Sequence, residues 1–256
     1  MKKYLVKFIP VVFVAALLLL SSCLKDNETN PVPIGGLLTI NAYKNSPAVM
    51  FYTDGMALSP RGLKFKEVSG NYMSLHAGKQ RLSVRELGSP ESGQQLKLVD
   101  TSFEVKDSVL YSAFIFGNQK NPKLGIVEDH GTDALAENQA GIRFFNLAEE
   151  VGAVTLEINN KSGIEAWENR EEDQPSSIGD FQSFNSFGEG VFDIQIKNKN
   201  GEVIAKRSEY SFKRNQYYSV ILINDNADAD ASKRNDSTVE NLDKEAESYY
   251  IGVVNH

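Results

Sequence analysis

Leu124-Gly125-Ile126-Val127 and Ile251-Gly252-Val253-Val254 read as one short pattern written twice. Working back from these two stretches, the chain pairs with itself in order. Ile40-Asn41-Ala42 matches Phe145-Asn146-Leu147, and Val49-Met50-Phe51-Tyr52 matches Val154-Thr155-Leu156-Glu157. Gly78, Leu82 and Val84 match Gly188, Phe192 and Ile194; Val105 and Tyr111 match Phe212 and Tyr218. Ordered self-similarity at this spacing is the mark of a duplicated structural unit. The offset grows by twenty residues just before the closing pair, so the second copy carries an insertion, 224–248, ahead of its last strand. What looks like an acidic tail is then a loop, and Tyr249-Tyr250-Ile251-Gly252-Val253-Val254 returns to finish the second copy. Within the insertion, Asp243-Lys244-Glu245-Ala246-Glu247 suggests a short helical turn.

Each copy is built from short stretches that alternate with period two and stop at Gly, Asn, Asp or Pro, the signature of strands and turns. The first copy predicts strands at 37–42, 49–53, 62–67, 72–75, 81–86, 96–105, 111–116 and 124–127. The second predicts them at 141–146, 154–159, 163–167, 181–184, 191–197, 203–212, 217–223 and 249–254. Ala77-Gly78-Lys79, Gly188-Glu189-Gly190 and Thr53-Asp54-Gly55 read as hairpin turns. Many short strands without a helix-length crossover predict an all-β fold: two tandem antiparallel immunoglobulin-like β-sandwiches. The expected domains are 37–138 and 139–256. Phe51, Tyr72, Phe103 and Tyr111, with Phe144, Phe192, Phe212 and Tyr218, are the candidate core aromatics.

Ahead of these domains, Lys2, Lys3 and Lys7 precede a thirteen-residue apolar run, Phe8 to Leu20, broken only by Pro10. A bilayer-spanning helix needs roughly 20 apolar residues, so the run reads as the core of a signal peptide, residues 1–22. It ends in Leu20-Ser21-Ser22-Cys23, which resembles a lipobox. That reading makes Cys23 the lipidated N-terminus and places the protein in the outer membrane, held by lipid rather than by a span. Cys23 is the only cysteine, so no internal disulfide forms. Leu24-Lys25-Asp26-Asn27-Glu28 resembles the surface-export signal of Bacteroidota lipoproteins, favouring the cell surface over the periplasmic face; Asn30-Pro31-Val32-Pro33-Ile34-Gly35-Gly36 reads as a short linker, so that 23–36 is the lipidated N-terminus and linker.

Removing residues 1–22 takes away three lysines and no acid, which leaves 24 basic against 34 acidic residues and a formal charge of −10. Nucleic-acid binding needs a basic face, so this class is disfavoured.

The opening Ile40-Asn41-Ala42, Ser46-Pro47-Ala48-Val49 and Phe51-Tyr52-Thr53-Asp54-Gly55 resembles that of the family known as domain of unknown function 4397. Tyr72-Met73-Ser74-Leu75-His76-Ala77-Gly78 and Phe103-x-Val105 before Tyr111 are similar to its later strands. The resemblance implies tandem Ig-like β domains in a secreted or lipid-anchored bacterial protein over nearly all of 37–256. It carries no activity. The second copy departs from the pattern, with Asn146-Leu147-Ala148-Glu149-Glu150 lacking the Ser-Pro and Asn159-Asn160 replacing Asp-Gly.

Catalytic constellations are sparse. The three histidines, His76, His130 and His256, stand apart and are expected at the surface. No serine sits in a nucleophile elbow and no phosphate loop occurs. Glu149-Glu150 and Glu171-Glu172-Asp173 pair carboxylates in loops, where solvation is the simple reading. Asp225, Asp228 and Asp230, with Asn224 and Asn226, crowd oxygen ligands and make calcium the one cofactor to consider, although an EF-hand's glycine and twelfth-position Glu are missing. Trp167 has two readings, a core residue or a platform for stacking on a sugar. The expected function is a noncatalytic binding or adhesion module whose partners are the membrane, through the lipid, and a glycan or envelope protein. The loops 168–177 and 224–248 are the candidate binding loops. The alternatives are a structural subunit docked on a larger envelope complex and an unrecognised hydrolase.

Overall fold

The computed structural model describes residues 31–87, 95–129, 135, 137–159, 163–225 and 249–256. Residues Pro33–His256 form one compact unit. Its strands are β1 (Ile34–Asn41), β2 (Ala48–Thr53), β3 (Met56–Ala57), β4 (Leu63–Lys64), β5 (Met73–His76), β6 (Gly78–Glu86), β7 (Leu96–Val105), β8 (Leu110–Asn118) and β9 (Asn121–Glu128). After them come β10 (Gln139–Asn146), β11 (Val154–Ile158), β12 (Asn185–Gly188), β13 (Gly190–Asn198), β14 (Val203–Phe212), β15 (Tyr217–Asn224) and β16 (Tyr249–Asn255). Among the described residues no helix is long and apolar enough to cross a membrane.

Two four-stranded sheets share one order: β5-β1-β8-β9 and β12-β10-β15-β16. A second sheet faces each, β3-β2-β6-β7 with β4 on β2 in the first case, and β11-β13-β14 in the other. Between the first pair lies a core of Leu37, Val49, Phe51, Leu82, Val84, Tyr111, Ala113 and Ile115. Its counterpart holds Ile142, Phe144, Leu156, Ile194, Ile196, Tyr218, Val220 and Leu222. The all-β sandwich expected from the period-two pattern is therefore present, and the strand order repeats.

A third core was not legible as such. The outer faces of the two four-stranded sheets bury Leu38, Ile40, Phe114, Phe116 and Val127 against Phe145, Leu147, Ile178, Ile221, Ile223 and Val254. Phe114 and Phe145 meet with ring centroids 5.2 Å apart. The result is a stack of four sheets with three apolar layers between them. β1, β8, β10 and β15 are buried on both faces, which is why 113–116 and 220–223 read as unbroken apolar runs rather than alternating ones.

Several expectations change. The pairing is antiparallel except that β1 runs parallel to β8 and β10 parallel to β15. Parallel neighbours need a long crossover, and the excursion through the facing sheet supplies it. Residues 77–79 and 188–190 are not hairpin turns. β5 belongs to one sheet and β6 to the other, so Gly78 (φ 109°) and Gly190 (φ 145°) mark corners where the chain changes layer. Thr53 and Met56 do close a hairpin. The strand expected at 163–167 is instead a 3₁₀ turn, Glu165–Trp167, and the one expected at 181–184 lies four residues later as β12, after a 3₁₀ turn at Ile178–Phe181. The strand expected at 62–67 pairs only over Leu63–Lys64, since Lys66 takes φ 70°. Superposing the registers shifts one repeat match by two residues: Leu82 and Val84 correspond to Ile194 and Ile196, not to Phe192 and Ile194. A two-residue slip keeps every side chain on its face, so alternation alone cannot detect it.

Candidate binding surfaces and the polar seam

Cys23, His130, Asp228 and Asp230 lie outside the described residues, as does the helical turn expected at 243–247. The strand after the insertion is present: β16 pairs with β15 from Asn224↔Tyr249 to Tyr218↔Asn255. Asp225, the described member of the proposed calcium cluster, forms an ion pair with Lys66 at 2.7 Å, and the same ammonium sits 4.2 Å from the Tyr250 ring centroid. An ammonium at that distance competes with a cation for the carboxylate. Trp167 is 1% exposed and packs in the second core with its ring 6.0 Å from Phe187, so its faces are not open to a sugar.

The loop 168–177 is tied down at its centre. Arg170 and Asp173 are buried and ion-paired, and the guanidinium lies 3.2 Å over the Phe181 ring. Arg170 Nη1 donates to the Phe144 and Ala166 carbonyls, and Asp173 Oδ2 accepts the Asn146 N–H at 2.8 Å. The solvated reading of Asp173 is thus wrong. Burial pushes its carboxyl up to about 6 despite the Arg170 charge. Glu171, by contrast, is exposed.

Of the described histidines, His76 is exposed as expected, and His256 is not: its side chain is 5% exposed. It closes a ring of polar groups between the two central sheets. Arg143 Nε donates to Ser219 Oγ (2.7 Å), which lies 2.7 Å from His256 Nε2. His256 Nδ1 lies 2.9 Å from Tyr72 Oη, which donates to Asp129 Oδ2 (2.8 Å); Arg143 Nη2 returns to Asp129 Oδ1. Ser112 Oγ adds a second donor to Asp129 at 2.8 Å. Each proton is used once when His256 is neutral with its hydrogen on Nδ1, so donor counting assigns that tautomer. Burial and the Arg143 charge hold the imidazole down to about 4. Burial and the Asp129 charge raise the Tyr72 phenol well above its ordinary value. Tyr72, expected in a sandwich core, thus lies at the seam between the sandwiches, with its hydroxyl on Asp129.

Ser219, His256 and Asp129 have the residue types of a hydrolytic triad, but the geometry suits a joint. Ser219 is 0% exposed and its Oγ already receives a guanidinium proton, while Tyr72 Oη bridges His256 and Asp129, which are 3.7 Å apart. A substrate carbonyl has no approach to that oxygen. Further links cross the same seam: Asn118 Nδ2 donates to Glu149 Oε1 (2.9 Å), and Lys123 pairs with Glu172.

The open surfaces are the outer faces of the two terminal sheets. On β2 and β6, Met50, Tyr52, Arg81 and Arg85 point outward, while Val49, Phe51, Leu82 and Val84 point in. The Arg85 guanidinium lies 4.7 Å from the Tyr52 ring centroid, and Tyr52 Oη donates to Gln95 Oε1 at 3.0 Å. Arg81 and Lys97 both engage Asp100, at 2.6 and 2.9 Å. Nothing local in the sequence marks the Tyr52–Arg85 pair, whose members are 33 positions apart and joined only by the β2–β6 register. At one end of the second sandwich, Glu189, Gly190, Ser211, Phe212, Lys213, Arg214 and Gln216 line an open depression of about 790 Å³.

A family model described as "Domain of unknown function (DUF4397)" matches residues 36–157, which runs from β1 through most of β11, short of the extent the sequence resemblance implied. No curated protein matches the chain. Among solved structures, an alpha-glucan-binding streptococcal virulence factor is 13% identical with a TM-score of 0.21, covering 73% of this chain and 92% of its own. A Bacteroides ovatus protein proposed as an adhesin is 13% identical with a TM-score of 0.20, covering 80% and 93%. Likeness at this level carries no argument about topology or ligand.

Proposed function

We propose that this chain, whose residues 36–157 belong to the DUF4397 family, is a noncatalytic binding module of the bacterial envelope, tethered through lipid on Cys23. The observation that supports this reading is the third core. It joins two sandwiches into one body and leaves the outer sheets open at opposite ends of the stack. A rigid β scaffold that holds surface groups in fixed register is what recognition requires, and the buried Ser219, His256 and Asp129 side chains are engaged in the joint.

Screening the detergent-solubilised full chain against glycans and envelope proteins tests the proposal. A saturable ligand whose binding is weakened by substitutions on an outer sheet is the expected result. Failure of both classes to bind would sink it. Cys23→Ala should release the protein from membranes, and retention there would refute the anchor. A docking subunit is the second reading. Ile34 and Leu110 favour it, being 46% and 42% exposed where β1 enters the stack. Association with one envelope protein, lost on Leu110→Asp, would select that reading.

A further inference from the structure

The two outer sheets allow a comparison inside one molecule. Met50 pairs with Arg85 and Tyr52 with Ser83; in the second copy Thr155 pairs with Lys197 and Glu157 with Gln195. Glu157 thus stands where Tyr52 stands, and Lys197 where Arg85 stands. In the second copy this diagonal is a closed ion pair, Lys197 Nζ to Glu157 Oε2 at 2.8 Å. In the first, the carboxylate is replaced by a phenol ring. The Arg85 guanidinium lies over that ring, and its Nε is buried with no hydrogen-bond partner among the described residues. The neighbouring cations Arg81 and Lys97 are both matched by Asp100. One copy therefore neutralises its cation with its own carboxylate, and the other leaves the same position for a carboxylate from outside.

We propose that Tyr52 and Arg85 form a subsite for an acidic sugar, a uronate residue of a polysaccharide. The assignment rests on the binding-module reading and names its ligand class. A guanidinium accepts a carboxylate in a bidentate pair. A uronate carries that carboxylate beside an apolar C–H face, and the subsite sets a charged fork beside an aromatic ring. The extended, half-exposed strand face also suits a chain ligand that lies along it. An acidic peptide shares the charge but offers Tyr52 only flexible methylenes in place of a rigid sugar C–H face.

The test is calorimetric titration of the detergent-solubilised full chain with an oligosaccharide of alternating glucuronic acid and N-acetylglucosamine. Its carboxyl-reduced form and a glutamate-rich peptide serve as the other arms. The acidic oligosaccharide should bind, with affinity lowered at least tenfold by carboxyl reduction or by Arg85→Gln. Tyr52→Leu should weaken binding, and Glu157→Gln should leave it unchanged. Both arginine and tyrosine lie on an outer face, and an unchanged melting temperature confirms that each variant folds. Absence of binding, equal binding of the reduced sugar, equal binding by Arg85→Gln, or preference for the peptide each overturns the subsite. If the wider screen finds a ligand insensitive to Arg85, the binding-module reading survives and this subsite falls.

Discussion

Asn41 and Asn146 show how a repeat is held by single side chains. Both are fully buried. Asn41 Nδ2 donates to the Leu63 carbonyl and its Oδ1 accepts the Tyr43 N–H; Asn146 does the same with the Arg170 carbonyl and the Ala148 N–H. Replacing either by Ala strands a buried donor and a buried acceptor, so each should cost on the order of 2–4 kcal/mol in denaturant unfolding. The seam makes a second residue-scale prediction. Unfolded, His256 takes up a proton near its ordinary value of 6.5, but folded only near 4. Between those values the unfolded chain binds more protons, so stability falls as pH drops through the window, by about 3 kcal/mol. Asp173 opposes it: its folded value near 6 exceeds the ordinary 3.8, so its contribution falls as pH rises through that range. Melting curves from pH 4 to 7 should therefore lose their acid sensitivity in His256→Gln and gain it in Asp173→Asn. The calcium idea has its own check, since a transition unmoved by added calcium ends it.

At the scale of elements, the sequence was most informative where one face of a strand is wet. β7 and β14 match their expected bounds to the residue, and β2 and β13 lie within one residue at each end. The pattern fails where geometry is set by distant partners. Residues 163–167 have strand-like composition but form a 3₁₀ turn that carries Trp167 into the core, and the strand expected at 181–184 forms four residues later, as β12. The corners at Gly78 and Gly190 look like hairpins because the same glycine serves either, and only the choice of sheet separates them. Of the candidate site, Asp225 and Trp167 were visible as residue types, yet their partners Lys66 and Phe187 were not. The Tyr52–Arg85 pair left no local signal. Gly125 on β9 is a further element-level case. A Cβ there would lie 2.8 Å from Ile178 Cδ1, a residue of the other copy. Gly125→Val should press on the buried 3₁₀ turn that carries Ile178 and lower stability by roughly 1–3 kcal/mol, read as a lower denaturant midpoint at an unchanged m-value.

For the whole molecule, the duplication gives two bodies and the seam makes them one. Phe114 and Phe145 are both fully buried, but in the layer between sandwiches rather than within either. Truncating either to Ala should cost about 3–5 kcal/mol, and the pair together should uncouple the unfolding of the two halves into separate calorimetric transitions. A single sharp transition in the double variant would argue that the halves cooperate through the polar ring alone. The lone strand β16 also bears on the order of assembly. The first sandwich has every one of its strands by residue 128, while the second waits for a segment that arrives only after the insertion. Until that strand docks, β15 presents a bare hydrogen-bonding edge, Ser219 lacks its imidazole, and Val254 is missing from the middle layer. A nascent or clipped chain ending near residue 224 would therefore carry a ready template for pairing with its neighbours, and its fate in the cell would be clumping rather than slow function.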